Sequence, residues 1–353
     1  MAWREIAQSD LSGWNRRLLQ ESSASLRQFP LLNEGLRGSG GLWVSIPGRF
    51  SSLITKARRW TTTPRYIVHD SPQGESAFAC IVTIGLPGFR VGCILDGPVP
   101  LGGRAIDASV MSDLMAWARR HHYIALRVTH SSEDFLASLS GMGTSERVNG
   151  VPFYPHPASE LYVDISVGEA AILSRFQKIA RQEIRYATEA GYVVSIDHDP
   201  EALEKAWPAF QSRSSQKGIS YRDLEIYKRM MRDAEPHQSA HLFTAWREEK
   251  PIAAILILRD PTTAHYFLGT VDVDALGDAP SPACLLQWSA MRHAAERGAK
   301  SYNMGNRSGS VQNFKMKFRP VENEWPTPVT FAVNERVYNV WRRMLPSLSR
   351  AVT

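Results

Sequence analysis

Between Pro280 and Pro320 the chain runs a helix, a short strand, a glycine-jointed loop and a series of cations in one continuous stretch. In Asn313-Phe314-Lys315-Met316-Lys317-Phe318-Arg319, apolar residues alternate with cations, so a strand here would bury one face and project Lys315, Lys317 and Arg319 together. Lysines on an edge strand also serve to keep it from pairing with other chains. Joined to an open helix N-terminus and the loop Asn306-Arg307-Ser308-Gly309-Ser310, the same charges suit an anionic, phosphate-rich ligand.

The elements that must hold these residues are legible around them. Ser281 is a candidate cap with Pro282 at the first helical position, apolar residues recur at helical spacing from Cys284 to Arg297, and Gly298 is placed to end the helix in a left-handed turn. Lys300 to Met304 reads as the strand that follows. Upstream, one helix is expected from Gly168 to Ala190, with Arg175, Lys178, Arg181 and Arg185 on one face and Ile172, Phe176 and Ile179 opposite. Four cations in a stripe fit either a solvated face or a phosphate backbone.

These segments carry a resemblance. The order of a helix ending in Glu296-Arg297-Gly298, a short strand with Tyr302 and Gly305, a loop, and Phe314-Lys315-x-x-Phe318 resembles the last third of the Fem family. That family comprises aminoacyl-tRNA-dependent peptidyltransferases of the peptidoglycan stem peptide, built from GNAT-type acyltransferase folds. Arg175 to Arg185 followed by Ala187 and Ala190-Gly191, and Ser215 to Ser220 followed by Tyr227, are similar to two further family segments. The match runs from around Tyr162 to the end. It implies that Lys315, with Phe314 beside it, lies at the phosphates of the substrate or tRNA end and stabilises charge there, with Arg307, Lys317 and Asn306 in the same substrate site. It also implies tRNA contact by Arg175, Lys178, Arg181 and Arg185, and an acceptor in the first domain near a basic residue, for which Arg37 is the cation at hand.

Acyl-CoA enzymes of the GNAT class hold pyrophosphate on a Q/R-x-x-G-x-G/A turn before a helix. In the equivalent stretch Gly269 to Ser281 only Gly269 and Gly277 remain, and Asp272, Asp274 and Asp278 would repel pyrophosphate. An aminoacyl ester is already activated, so transfer to an amine needs alignment, charge stabilisation and a proton acceptor, a role for which Asp272 or Asp274 is the expectation. His198, between two aspartates, reads as a turn, and His121-His122 as a helix end.

Composition sets the frame. At 353 residues, 43% hydrophobic, the chain exceeds what one core usually supports, so two domains are expected. Net charge of +6 fits RNA, nucleotide phosphates or an anionic membrane, as well as plain solubility. Three dispersed cysteines read as buried thiols in a reducing compartment, and no metal-ligand spacing is present. The N-terminus reads without a signal peptide and no run reaches the ~18 apolar residues of a membrane span, which leads to a cytoplasmic expectation with peripheral contact at the inner membrane face. The stretch Arg49 to Trp60 has the profile of a basic surface or interfacial helix.

Taken in order, the elements repeat one arrangement twice: helices, strands at 65–70, 77–84 and 91–95, a helix at 105–120, a strand at 123–129, a helix and a strand at 160–165; then helix, strand, two helices, three strands, helix and strand. The fold expected is α+β, two tandem GNAT-like domains of mixed sheets flanked by helices. Residues 1–165 would form the acceptor side and 166–353 the donor side, with the last helix packing back on the first domain. The function expected is an aminoacyl-tRNA-dependent transferase forming a peptide bond on a peptidoglycan precursor or similar amine. It would act as a monomer, with charged tRNA as donor and no bound cofactor. The alternative is an acyl-CoA-dependent N-acyltransferase acting on a sugar or amino acid of a surface polysaccharide.

Overall fold

In a computed structural model of the chain, residues 2–36, 63–86, 89–139, 141–145, 159–217, 221–307 and 311–340 are described. The chain forms two compact units, Met1–His156 with Trp325–Thr353, and Pro157–Glu324. In the first, β1 (Ala2–Glu5), α1 (Leu11–Leu18) and α2 (Pro30–Leu36) precede the meander β2 (Thr63–Ser71), β3 (Gly74–Leu86) and β4 (Phe89–Leu95). The short β5 (Val99–Pro100) leads to α3 (Ala108–Arg120), β6 (Tyr123–Thr129), α4 (Glu133–Ser138) and β7 (Thr144–Ser145). Asp107 caps α3 by accepting from the Ser109 and Val110 amides, which fixes where that helix starts. Asp10, the residue before α1, makes no such side-chain bond.

The second unit runs β8 (Ser159–Asp164), α5 (Glu169–Arg175), α6 (Lys178–Glu189), β9 (Val193–Asp197), α7 (Pro200–Lys217) and α8 (Leu224–Ala234). Then follow β10 (Ala240–Arg247), β11 (Lys250–Arg259), β12 (Thr263–Val271), α9 (Val273–Leu276), α10 (Ala283–Glu296), β13 (Ser301–Asn306), α11 (Gln312–Met316) and β14 (Val321–Glu324). The last strand, β15 (Val329–Ala332), returns to the first unit.

Each unit has its own mixed sheet. The path is β1-β2-β3-β4-β6-β15-β7 in the first, with β5 on β3, and β9-β10-β11-β12-β13-β8-β14 in the second. The two orders correspond place for place, with one parallel pair at the middle of each, β4 with β6 and β12 with β13, joined through α3 in the first unit and through α9 and α10 in the second. The sixth place is taken by β15 in one sheet and β8 in the other. Tight apolar clusters lie under both: Trp117, Leu126 and Phe331 in the first, Phe176, Leu286 and Tyr302 in the second.

Three expectations are corrected. The boundary lies at His156/Pro157 and not 165/166, because β8 pairs with β13 and β14, and residues from Trp325 onward join the first unit. The helix expected over 168–190 is two helices, since Phe176 and Gln177 adopt extended backbone between α5 and α6. Residues 312–316 are helical where a strand was expected: Phe314 and Phe318, four apart, meet edge to face with ring centroids 5.5 Å apart on one side of the turn.

Candidate active site

The parallel strands β12 and β13 are hydrogen-bonded neighbours only from Thr263/Ser301 to His265/Asn303. Beyond that both continue, β12 along β11 and β13 along β8, so a wedge opens between them. Two irregularities shape its walls. The β11–β12 register slips between Leu256 and Ile257, leaving Phe267 without a partner on β11, and the β13–β8 register slips between Asn303 and Asn306. Bulges of this kind re-aim side chains next to sites. Gly305 takes a positive φ of 76° in the second, a conformation that favours glycine.

Lys315 is buried beside this bulge, its Nζ donating to the Asn306 carbonyl at 2.8 Å. A Cβ added at Gly305 would lie 3.6 Å from that nitrogen. Burial pushes the ammonium's pKa below its usual value, and the Glu160 carboxylate pushes it back up. Glu160, 6% exposed, is held by a polar network from three strands. Its Oε2 accepts from the Tyr162 hydroxyl at 3.0 Å and from Asn303 Nδ2 at 3.2 Å. Asn303 Nδ2 also lies 3.2 Å from the Tyr162 oxygen and 3.4 Å from His265 Nδ1, while its Oδ1 accepts from the Gly305 amide at 2.6 Å. His265 Nε2 sits 2.8 Å from Asp260 Oδ2, and Asp260 Oδ1 accepts the Thr262 and Thr263 amides. The arrangement sets Nε2–H of His265 toward Asp260, leaving Nδ1 as acceptor.

On the opposite face of the wedge Tyr302 is fully buried and donates to Gln287 Oε1 at 2.6 Å. Tyr266 packs beside this core, and its phenol is pushed up to about 12 by burial, so it remains protonated. Its hydroxyl stands over Gly269, where a Cβ would collide with it.

The first turn of α10 presents a second feature. Cys284 Sγ donates to Glu183 Oε2 at 3.0 Å, and Lys317 Nζ binds Glu183 Oε1 at 2.6 Å. Burial and that carboxylate raise the thiol's pKa, so Cys284 is a neutral donor and not a nucleophile. The helix itself begins at Ala283, one residue later than expected; Pro282 is its N-cap and Ser281 Oγ accepts from the Ala283 amide at 3.4 Å.

The residues anticipated from sequence divide accordingly. Lys315 and Asn306 meet directly, and Phe314 packs against the core beside them. Lys317 does not project with Lys315; it pairs with Glu183 and passes 5.9 Å over the Phe314 ring. Arg307 pairs with Glu322 of β14 at 2.6 Å. Asp272 caps α9, accepting from the Asp274 and Ala275 amides and from Ser212 Oγ at 2.8 Å, and Asp274 accepts from Gln216 at 2.7 Å; neither contacts Lys315. In the cationic stripe Arg175 pairs with Asp164 and Arg185 with Glu189, while Arg181 donates to the Ser174 and Phe176 carbonyls. Ile179, expected inward, is 48% exposed. Arg37, the 38–60 segment and Ser308 to Ser310 lie outside the described residues. Glu160, Tyr162, Asp260, His265 and Asn303 were missed by sequence reasoning. The one signal available was Asp260-Pro261-Thr262-Thr263, a turn sequence that predicts its own cap.

Among the described residues no group of three or more His, Cys, Asp and Glu side chains is placed to hold a metal ion, and no helix is long and apolar enough to cross a membrane.

Comparison with known proteins bears on this geometry. Residues 174–316 match the model of the acetyltransferase (GNAT) domain. The second unit carries a GNAT domain. Among solved structures, FemX has a similar fold: TM-score 0.72 at 13% identity, over 96% of this chain and 99% of that one. L-PGS from Bacillus licheniformis is similar at TM-score 0.54 and 14% identity, over 94% and 93%. The C-terminal domain of a putative lysylphosphatidylglycerol synthetase from Agrobacterium fabrum gives TM-score 0.51 and 15% identity, over 89% and 92%. No curated protein matches the sequence. The fold is Fem-like, and the acetyltransferase (GNAT) match falls within the second unit.

Proposed function

We propose that the chain transfers an aminoacyl group from charged tRNA to an amine of a peptidoglycan precursor or similar acceptor, forming a peptide bond. The GNAT unit would hold the donor and the first unit the acceptor. The observation that carries the choice of donor is Glu183. At the first turn of α10, where an acyl-CoA enzyme of this class would set pyrophosphate against free amides and the positive end of the helix, a carboxylate already receives the Cys284 thiol and Lys317. The segment before it forms α9, with Asp272, Asp274 and Asp278 in place of a glycine turn. A pyrophosphate entering there meets like charge.

Lys315 supplies the fixed positive charge. Its ammonium has three N–H donors and one acceptor, the Asn306 carbonyl, among the described residues, so two remain for an oxyanion or phosphate at the wedge. The cations Lys178 and Arg185 on the exposed side of α6 fit the tRNA backbone. The likeness to lysylphosphatidylglycerol synthetases supports extending the acceptor class to lipid-borne groups, a hydroxyl as well as an amine, which would place the protein at the inner membrane surface.

The test is mass spectrometry of soluble and lipid-linked precursor pools incubated with the protein and total charged tRNA, beside a parallel incubation with acetyl-CoA. A product heavier by one amino-acid residue in the tRNA arm supports the reading and identifies the acceptor pool. Acetylated product with acetyl-CoA, and none with tRNA, overturns it in favour of the acyl-CoA N-acyltransferase that the GNAT match also accommodates.

A further inference from the structure

At the closed end of the β12–β13 seam, away from the wedge, basic side chains from three elements gather where the alternation of β10 asks for an apolar one. Phe243 and Ala245 lie in the core of the second unit, and His241, next along the same face of β10, is 4% exposed. Its ring meets that of His293, in the last turn of α10, edge to face with centroids 4.5 Å apart. Arg259 lies two residues beyond Ile257, the register partner of His241 on β11, and so shares that face. Its Nη1 donates to the Arg297 carbonyl at 2.9 Å, and Arg297 Nη2 donates to Gln238 Oε1 at 2.9 Å. Arg297 is exposed, so the cluster runs from the surface inward to His241.

The cluster is short of acceptors. Three of its buried nitrogens, His241 Nε2, His293 Nε2 and Arg259 Nε, meet no hydrogen-bond partner among the described residues. Native folds rarely leave such groups unmet, least of all three in one place. Neither Arg259 nor Arg297 forms an ion pair with a carboxylate among the described residues. Two carboxylates stand near: Asp260 gives its oxygens to His265 and to the Thr262 and Thr263 amides, and Glu296 is exposed at the end of α10. His198, after β9, adds a third imidazole to the field. Burial, then His293 and the two arginines, hold the proton affinity of His241 low.

We propose that His241, His293, Arg259 and Arg297 bind a phosphate group, carried by inorganic phosphate or by a small phosphate monoester. Guanidiniums and protonated imidazoles offer only donors and a phosphate dianion only acceptors, so one ligand meets all three nitrogens. A divalent cation would face two guanidiniums beside the rings, which disfavours a metal here. The dianion also favours the charged form of both histidines, so phosphate and protons enter together. This site stands apart from the wedge and is independent of the acyl-transfer reading.

The experiment titrates the full chain with inorganic phosphate, and separately with glycerol 3-phosphate, by calorimetry at pH 7 and constant ionic strength in two buffers of different ionisation enthalpy. It is repeated on Arg259→Gln, His241→Phe and Arg232→Gln, the last removing a surface cation that pairs with Glu225 elsewhere in the unit. Expected are one site with a Kd below about 1 mM, proton uptake on binding, an affinity lower by roughly 10- to 100-fold in the first two variants, and no change in the third. The tighter of the two ligands tells a free ion from an ester. Thermal melts establish that each variant is folded; should either fail, the ring C2–H NMR signals of His241 and His293 in the wild type decide, shifting with phosphate if the site is real. Unmoved ring signals, equal affinity in Arg259→Gln and wild type, binding without proton uptake, or stabilisation by zinc with phosphate silent each overturn the inference and leave the transfer reading untouched.

Discussion

Both sheets place a parallel pair of strands at their centre, in the same position of the same strand order, and they treat it in opposite ways. In the first unit β4 and β6 stay paired from Arg90/Tyr123 to Leu95/Thr129, with a single register slip between Arg90 and Val91. The seam is packed shut: a Cβ on Gly92 would stand 2.5 Å from Leu126 Cδ2 and 2.7 Å from Ile81 Cγ2. In the second unit the pairing stops after His265/Asn303, and the polar network, the buried lysine and the bulges all gather where the strands part. A chemical site in this architecture is made by withholding hydrogen bonds from one seam, and its twin shows what the seam becomes when they are supplied.

The contrast can be broken most sharply at Lys315. Lys315→Met should lower kcat/KM roughly 10²- to 10³-fold, the cost of losing one preorganised charge, while the melting temperature holds because an apolar chain of similar length replaces a buried ammonium. Equal loss of folding and activity would make it a structural lysine and leave the open seam without a function. At the closed seam the expectation reverses. Gly92→Ala should destabilise by about 1–3 kcal/mol through overpacking, read by chemical denaturation, with activity per folded molecule unchanged.

A third measurement separates the acid sensitivity of the fold from that of the site. His241, on β10, packs 4.5 Å ring to ring with His293, and burial, reinforced by His293, pushes its pKa down to about 3. The unfolded chain takes up this proton below about 6.5 and the folded one does not. Its contribution is therefore complete above 6.5 and is lost as the pH falls toward 3, at up to roughly 1.4 kcal/mol per pH unit. His241→Phe should flatten the stability curve over that range and leave the pH limb of catalysis where it was. The smallest effect concerns Asp272: its Ala variant should lose about 1 kcal/mol, the worth of an N-cap, with kcat intact. A large fall in kcat at constant stability would restore it as proton acceptor.

Local structure was readable from sequence wherever its signal was local. The three strands expected after two helices are β10, β11 and β12, in that order, and Gly298 ends α10 at a positive φ. The Phe314 to Phe318 segment was misread because five residues satisfy both periods: alternation places Lys315 and Lys317 together, while the i, i+4 pair of phenylalanines closes a helical turn. The cationic stripe of α5 and α6 was legible as a pattern, and Glu189 as the i, i+4 partner of Arg185, but the carbonyls of Ser174 and Phe176 that Arg181 meets depend on a break in the helix that no proline or glycine marks. Most of the site was beyond reach for a simpler reason. Glu160, His265 and Asn303 come from β8, β12 and β13, and only sheet order and register bring them to one another.

The exchange of the sixth strand has a consequence for synthesis. The GNAT unit is an unbroken run of chain, Pro157–Glu324, inserted into a host that needs Val329 and Phe331, both fully buried, from the far side of the insert. A nascent chain emerging from the ribosome therefore holds every strand of the guest sheet before the host can fill the gap between β6 and β7. The half translated first is the half finished last, and a chain halted at Glu324 should present a complete guest beside a host with an open, protease-sensitive seat.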